Sequence, residues 1–395
     1  MRRVYLGTLL TCLVMILIVS LLFYVRRDDA PQGHITVGFI YEDDESTPYT
    51  YNFSLAAEAV IRDFPDRVTV ISKSNVPPTD VEDPVRDMVR QGCSIIFTSS
   101  NSDGFPALAE EFPDVQFCQI SYLDEPLTDT PKNYHTFRGE LHEGRYVTGV
   151  VAGMKLKELI DSGQITPEEA VVGYVGAFPS TAIISGYTAF LLGIHSIVPE
   201  AVMKVKYTHI WGNLPAEKAA AEELINSGCV IISHHSDTSG PALACEEAAP
   251  YHIVYFVGYN QSMMDVAPTT ALISTRINWA PYVTGAVAAV LENKVIEKYV
   301  KGHVHGNDMS AGFDRDWVQV LDLNSHVVAP GTAEKVEETI DLLKKGKLQI
   351  FKGDYIGVNY EDESDIFDLS QGFEENRDSS SPAFKYILKD FIEIV

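Results

Sequence analysis

One pattern occurs twice in this chain, and it restricts the possible folds more than any other feature. Residues 92–100 read Gly-Cys-Ser-Ile-Ile-Phe-Thr-Ser-Ser, and residues 228–236 read Gly-Cys-Val-Ile-Ile-Ser-His-His-Ser. Each run follows a helix-like segment, and each leads into a turn region, Gly104-Phe105-Pro106-Ala107 or Gly240-Pro241-Ala242. The offset is 136 residues from Gly92 to Gly228, and the same from Cys93 to Cys229, Ile95 to Ile231, Ser100 to Ser236 and Gly104 to Gly240. A unit of helix, glycine, buried strand, polar tip and helix repeated at one offset predicts two similar α/β lobes. A length of 395 residues is too great for one ordinary core and sufficient for two. Ligands of open parallel sheets sit beyond the carboxyl ends of the strands, so the polar tips are the places to search.

The order of elements supports this expectation. Apolar strands over 34–41, 67–72, 92–100 and 115–121 alternate with helices over 52–64, 81–90 and 107–112, and an acidic tip at 42–48 follows the first strand. Such alternation implies a parallel sheet with helices on both faces. A strand over 134–140 and a helix over 143–159 follow, the latter with small residues suited to close packing. The series restarts with strands over 170–178, 203–210, 228–236, 252–258 and 271–277, and helices over 181–197, 215–226, 240–249 and 279–293. A strand is expected over 317–323, a helix over 333–343 and a strand over 348–352. The expected division is a first lobe at 34–160 with a return segment at about 280–320, and a second lobe at 168–278 with a return at about 325–355. Residues 356–395 form an acidic tail packing on the lobes; its stretch 361–381, Ser-rich and acidic, reads as loop.

Residues 4–25 carry no charge and are flanked by Arg2-Arg3 and Arg26-Arg27. At about 1.5 Å per residue such a run spans a hydrocarbon core of about 30 Å. It lacks the Ala-x-Ala exit of a cleaved signal peptide. An uncleaved signal anchor over residues 1–30 is therefore expected, with the lobes extracytoplasmic. A lipid anchor at Cys12, within Leu-Leu-Thr-Cys, is the alternative. Arginine pairs at both ends leave the orientation undecided by charge.

The net charge is −25, and every one of the 55 acids lies beyond residue 27. That weighs against nucleic acid or an anionic membrane surface as partner. There is no G-x-x-x-x-G-K-[ST] and no G-x-S-x-G, and Gly173-Tyr174-Val175-Gly176 lacks the third glycine of a dinucleotide fingerprint. His234 and His235 are adjacent at a strand tip and point to opposite faces, so they do not readily share one ion. His303-Val304-His305 reads as a solvated, glycine-flanked loop. Cys93, Cys118, Cys229 and Cys245 match no zinc spacing and read as small buried hydrophobes. No metal or cofactor is expected.

What recurs is polar and aromatic residues at strand tips. The first lobe offers Tyr51, Asn52, Ser99, Ser100 and Asn101. The second offers Phe178, Trp211, Asn213, His235, Asp237, Asn260, Asn278 and Trp279. Flat rings with amide and carboxylate edges suit a planar heterocycle bearing hydroxyls, such as a nucleoside. Any one of the aromatics serves equally to pack a lobe edge; the set together carries the signal.

At this point the sequence resembles the basic-membrane-protein (BMP, PnrA-like) family of ABC-transporter substrate-binding proteins. The matching runs are 38–52, 92–117, 134–153, 173–199, 211–237 and 257–291, within a span of about 34–355. The run Ile273-Ser274-Thr275-Arg276-Ile277-Asn278-Trp279-Ala280-Pro281-Tyr282 looks like the branch with Asn-Trp where nucleoside binders often carry Lys. The resemblance implies a periplasmic-binding-protein type I fold: two doubly wound parallel-sheet lobes with a hinged cleft, binding a purine nucleoside without chemistry and presenting it to an ABC permease. It carries the base-stacking role to Phe178 or Trp211, and the first-lobe polar role to Asn52 and Asn101. Asn260 stands where an acid is expected to hold a ribose hydroxyl. The ligand-binding set expected is Tyr51, Asn52, Ser100, Asn101, Phe178, Trp211, Asp237, Asn260, Asn278 and Trp279. A membrane-tethered sensor using the same fold is the alternative. A hydrolase using Asp237 or His235 would need a paired acid and base that the sequence does not supply.

Overall fold

The structure, a computed structural model, describes residues 33–121 and 130–395. The expected anchor at 1–30 lies outside the described residues, and among those described no helix is long and apolar enough to cross a membrane.

The chain begins with β1 (Ile35–Ile40), α1 (Pro48–Asp63), β2 (Val68–Lys73), α2 (Glu82–Arg90), β3 (Cys93–Thr98), α3 (Phe105–Glu111), β4 (Gln116–Ile120) and β5 (Tyr134–Gly139). Helix α4 (Leu141–Asp161) leads to β6 (Val171–Gly176), α5 (Thr181–His195), β7 (Val202–Tyr207), α6 (Leu214–Asn226), β8 (Ile231–His235), α7 (Gly240–Ala248), β9 (Tyr255–Tyr259) and β10 (Ala271–Ile277). Then come α8 (Ala280–Leu291), α9 (Ile296–Tyr299), β11 (His303–His305), β12 (Asp308–Ala311), β13 (Val318–Leu321) and α10 (Thr332–Lys344). The chain finishes with β14 (Ile356–Asn359), β15 (Ile366–Asp368), β16 (Tyr386–Leu388) and β17 (Ile392–Ile394).

Two seven-stranded sheets result, in the orders β11-β12-β5-β4-β3-β1-β2 and β13-β10-β9-β8-β6-β7-β17. The repeated run occupies the same place in both: β3 lies between β1 and β4, and β8 between β6 and β9, all in parallel. The repeat's glycines have one local cause. Gly92 and Gly228 sit at φ 85° and 94° just past the ends of α2 and α6, where a left-handed residue releases the chain into the next strand. Helices cover both faces of each sheet, which is why β3 and β8 are buried almost throughout.

Three segments cross between the sheets: β5 to α4, β10 to α8, and β12 to β13. The sequence reading ended the first lobe at residue 160. The structure carries the chain out of the first sheet at Gly139, and α4 buries Tyr146, Val150, Leu156 and Leu159 in the core of the second. The small residues explain this. A Cβ on Gly149 would lie 2.0 Å from Phe190 O, so glycine is what lets α4 and α5 approach backbone to backbone. Helix α8 goes the other way, placing Tyr282, Val283 and Val287 in the first lobe's core, where Tyr282 stacks on Phe137 with centroids 3.9 Å apart.

Three expectations need correction. The strand expected at 348–352 is a single bridge from Phe351 to Phe373. The tail, read as largely loop, carries the three-stranded sheet β15-β14-β16, and β17 extends the second lobe's sheet alongside β7. Its acidic composition hid widely spaced aromatics: Phe384 stacks on Phe351 at 4.0 Å and Phe373 packs edgewise on both Phe367 and Phe384. His303-Val304-His305 is the edge strand β11 and not a free loop: it pairs antiparallel with β12, and His303 Nδ1 lies 2.7 Å from a carboxylate oxygen of Glu140.

Candidate functional site

The carboxyl ends of the two sheets face each other across a cavity of about 240 Å³. Sheet order reverses beside β1 and β3 in one lobe and beside β6 and β8 in the other, so these tips leave a crevice at the switch points. The first lobe supplies Glu42 and Asp43 from the tip after β1, Tyr49 from α1, Pro78, Ser99, Ser100 and Asn101 from the tip after β3, and Arg138 from β5. The second supplies Ala182, Trp211, His235, Asp237 and Tyr259.

Hydrogen bonds fix these tips before any ligand arrives. Tyr49 OH donates to Ser99 O at 2.6 Å, and Glu42 N donates to Ser99 Oγ at 3.2 Å, locking the tips of β1 and β3 together. Gln119 Nε2 donates to Asn101 Oδ1 at 2.5 Å while its Oε1 accepts from Ser102 N at 3.2 Å. Arg138 Nη1 donates to Ser121 O at 2.8 Å. In the second lobe the fully buried Glu217 organises the tip after β8, accepting from Ser236 Oγ at 2.6 Å, Thr238 N at 3.2 Å and Asn213 N at 3.1 Å. Asp237 N donates to Trp211 O at 2.9 Å, joining the two second-lobe tips. His235 stands edgewise to Tyr259 at 4.7 Å, and Tyr259 in turn faces the buried Arg145 guanidinium at 4.2 Å.

Burial shifts the acids of the cavity upward and its histidine downward. Burial, with the neighbouring Asp43, raises Glu42; burial, with Asp44, raises Asp43. Burial pushes Asp237 well above the ordinary carboxyl range, and Glu217, Asp43 and Glu42 add to the rise. Burial also holds His235 well below its usual value, with Arg145 and Arg138 contributing, so the imidazole is neutral. A protonated carboxyl both donates and accepts, as does neutral imidazole. The cavity thus offers mixed hydrogen-bonding edges beside the rings of Trp211, Tyr49 and Tyr259, with the Arg138 guanidinium among them.

Of the residues singled out from the sequence, the structure brings Ser99, Ser100, Asn101, Trp211, His235 and Asp237 to this cavity. Phe178 lies behind the lining, its ring 5.6 Å from that of Trp211. Tyr51 is exposed on α1 outside the cavity. Asn52, Asn278, Trp279 and Asn260 are placed at the crossing after β10 and beside it. Asn52 Nδ2 donates to Ile277 O at 2.9 Å, and Asn278 Nδ2 donates to Asp316 O at 2.9 Å. Trp279 is buried against Phe53 and Phe137. Asn260 is buried in a left-handed conformation, φ 67°, with its N–H donated to Thr275 O. Sequence reasoning did not single out Glu42, Asp43, Tyr49, Arg138 or Tyr259. The signal that would have found Arg138 is a lone charge in a strand whose residues are otherwise buried throughout. Among the described residues no group of three or more His, Cys, Asp or Glu is placed to hold a metal ion.

Two similar lobes, hinged by three crossings, with a polar and aromatic cavity between their strand ends, define a two-lobed solute-binding protein. The family model of PnrA-like ABC transporter substrate-binding proteins matches residues 35–352, and the chain belongs to that family. Its members bind a substrate for transport and do not transform it. A purine-binding protein of Brucella abortus is 27% identical over 324 residues, covering 81% of this chain and 83% of that protein. A Haloferax volcanii protein provisionally described as an ABC transporter glucose-binding protein is 26% identical over 294 residues, 74% of this chain and 66% of its own length. Among solved structures, a solute-binding protein of an ABC transporter from Conexibacter woesei superposes with a TM-score of 0.62 at 18% identity, covering 80% of this chain and 97% of that one, which shows the shared fold.

Proposed function

We propose that the protein is the extracytoplasmic binding component of an ABC importer, and that it closes its two lobes on a purine nucleoside or the corresponding free base and hands it to a membrane permease. One observation carries the choice of ligand. Carboxyl groups from opposite lobes, Glu42 and Asp43 on one side and Asp237 on the other, line the same small cavity as the rings of Trp211 and Tyr49. A planar heterocycle with N–H, carbonyl or hydroxyl edges uses both features: rings stack on its faces, and carboxyl groups pair with its edges. The name of the Brucella relative agrees with this choice. Arg138 is a single basic residue in the lining, fewer than the several cations a nucleotide's phosphates ordinarily take. Residues 1–30 serve as the membrane anchor in this reading.

Thermal shift and calorimetry of the full chain against adenosine, guanosine, inosine, adenine and hypoxanthine test it, with glucose alongside. Stabilisation by one or more purines, and not by glucose, is expected. Stabilisation by glucose alone, or by none of the purines, refutes the ligand assignment.

A further inference from the structure

The family match ends at residue 352, and beyond it this chain builds an additional connection between its lobes. The segment is footed on the second lobe. Strand β17 pairs with β7, and Thr188 Oγ1 of α5 donates to Tyr386 O at 3.1 Å. Glu375 accepts from Ser185 Oγ at 2.8 Å, and from Ala383 N and Phe384 N at 3.1 and 2.9 Å, closing the loop 375–384 at its base.

From that footing the loop reaches the first lobe. Asp308 Oδ2, on β12, accepts from Ser380 N at 2.6 Å and from Ser379 Oγ at 3.1 Å, while its Oδ1 accepts from Thr136 Oγ1 of β5 at 2.8 Å. Ser381 Oγ lies 2.5 Å from Ser121 Oγ, at the end of β4. The loop is braced from within, since Asn376 Nδ2 donates to the carbonyls of Ser379, Ser380 and Ser381. Ser380 and Ser381 are buried at this junction. Ser121 also holds the cavity through its carbonyl, which accepts from Arg138 Nη1.

We propose that the loop 375–384 is a strap: a fourth, non-covalent crossing that holds the lobes in the arrangement seen here and fixes Arg138 at the cavity wall through Ser121. The three covalent crossings form a hinge, and hinged lobes exchange between open and closed arrangements whose populations follow the contacts made in only one of them. Both oxygens of the Asp308 side chain accept hydrogen bonds, and the contact with the loop is made at two points, Ser379 and Ser380. They break if Asp308 moves away from a loop anchored on the other lobe. The strap therefore weights the equilibrium toward the arrangement seen here.

The test adds no ligand, so it stands or falls separately from the proposed function. In a full-length Cys12→Ser background, whose other four cysteines are buried, spin labels are placed at the exposed positions Asp103 and Ala219, one in each lobe, as Asp103→Cys and Ala219→Cys. Pulsed electron–electron resonance then reads the inter-lobe distance. Two variants are compared with the parent: Ser381→Ala, and Asp308→Asn, which keeps the shape but cannot accept from both Thr136 and Ser380. Circular dichroism confirms that each is folded; should one variant fail to fold, the other decides. Expected is a population at inter-lobe distances outside the parent's main peak at least fivefold larger than in the parent. A distance distribution unchanged in a folded variant overturns the strap.

Discussion

His303 Nδ1 lies 2.7 Å from Glu140 Oε1, which also accepts from Ser310 Oγ at 2.8 Å, so one buried carboxylate ties the edge strands β11 and β12 to the first crossing. The hydrogen bond to Glu140 raises His303 from its ordinary 6.5 to about 8. Nearby, burial pushes Glu143 from 4.5 up to about 7, with Glu140 adding to the rise. Both folded values lie above the unfolded ones, so the sign is the same for both. Each contribution is complete below the unfolded value and is lost as pH rises through the folded one. The contribution of these two groups to thermal stability should therefore decline from about pH 4.5 to pH 8. His303→Ala should flatten only the part between pH 6.5 and 8, and Glu143→Gln only the part below about 7. Melting curves across a buffer series check this; equal slopes in parent and variants would count against it.

Asn52 separates a structural role from a binding one. Its buried amide donates to Ile277 O at the hinge. Asn52→Ala leaves that carbonyl without its partner and should cost about 1–3 kcal/mol in denaturant unfolding. It should change the affinity for the stabilising purine by less than about threefold, because the side chain does not line the cavity. Lost binding with unchanged stability would reverse the assignment.

Trp211 should behave in the opposite way. Its side chain is 37% exposed at the cavity rim. Trp211→Ala should alter stability by less than about 1 kcal/mol, as solvent-facing changes do. It should weaken purine binding at least tenfold by calorimetry, since a stacking face is worth about 1–3 kcal/mol per base.

Asp237 offers a test of protonation. Burial, with Glu217, Asp43 and Glu42, raises Asp237 well above the ordinary carboxyl range and so favours its protonated form; Asp237→Asn, a neutral group of the same shape, should bind the purine within about tenfold of the parent at neutral pH. Asp237→Ala should bind far more weakly because a buried partner is left unmet. Equal losses in the two variants would show that an ionised carboxylate is what the ligand needs.

The strand β17 closes the second sheet against β7, with Ile392 buried there. Deleting residues 391–395 bares the β7 edge, an unpaired row that invites intermolecular pairing. A lower melting temperature and concentration-dependent light scattering are expected; a monomer of unchanged stability would contradict the role given to this strand.

Much of the architecture was legible because it is written in short-range terms. Gly92 and Gly228 mark helix ends, and unbroken apolar runs mark strands buried on both faces. The tail was not legible, since Phe367, Phe373 and Phe384 lie too far apart to form a period and charge dominates between them. The cavity was legible only as a set of tips. Ser100, Asn101, Trp211 and Asp237 differ in no local feature from Asn52, Asn278 and Trp279, which serve the hinge. Which tip turns inward is decided by where the chain crosses between sheets, and the sequence does not mark that. Glu42, Asp43 and Arg138 were passed over because charged residues near strand ends are ordinarily solvated; only the opposing lobe encloses them.

The crossing from β12 to β13 has a consequence for how the molecule assembles. Strand β12 completes the edge beside β5 only after the chain has run through five strands of the other lobe. No contiguous fragment contains one whole lobe without strands of the other, so a cut between the halves yields two pieces with open edges instead of two stable products. Both halves must mature together, through many pairings distant in sequence, and such topologies fold slowly.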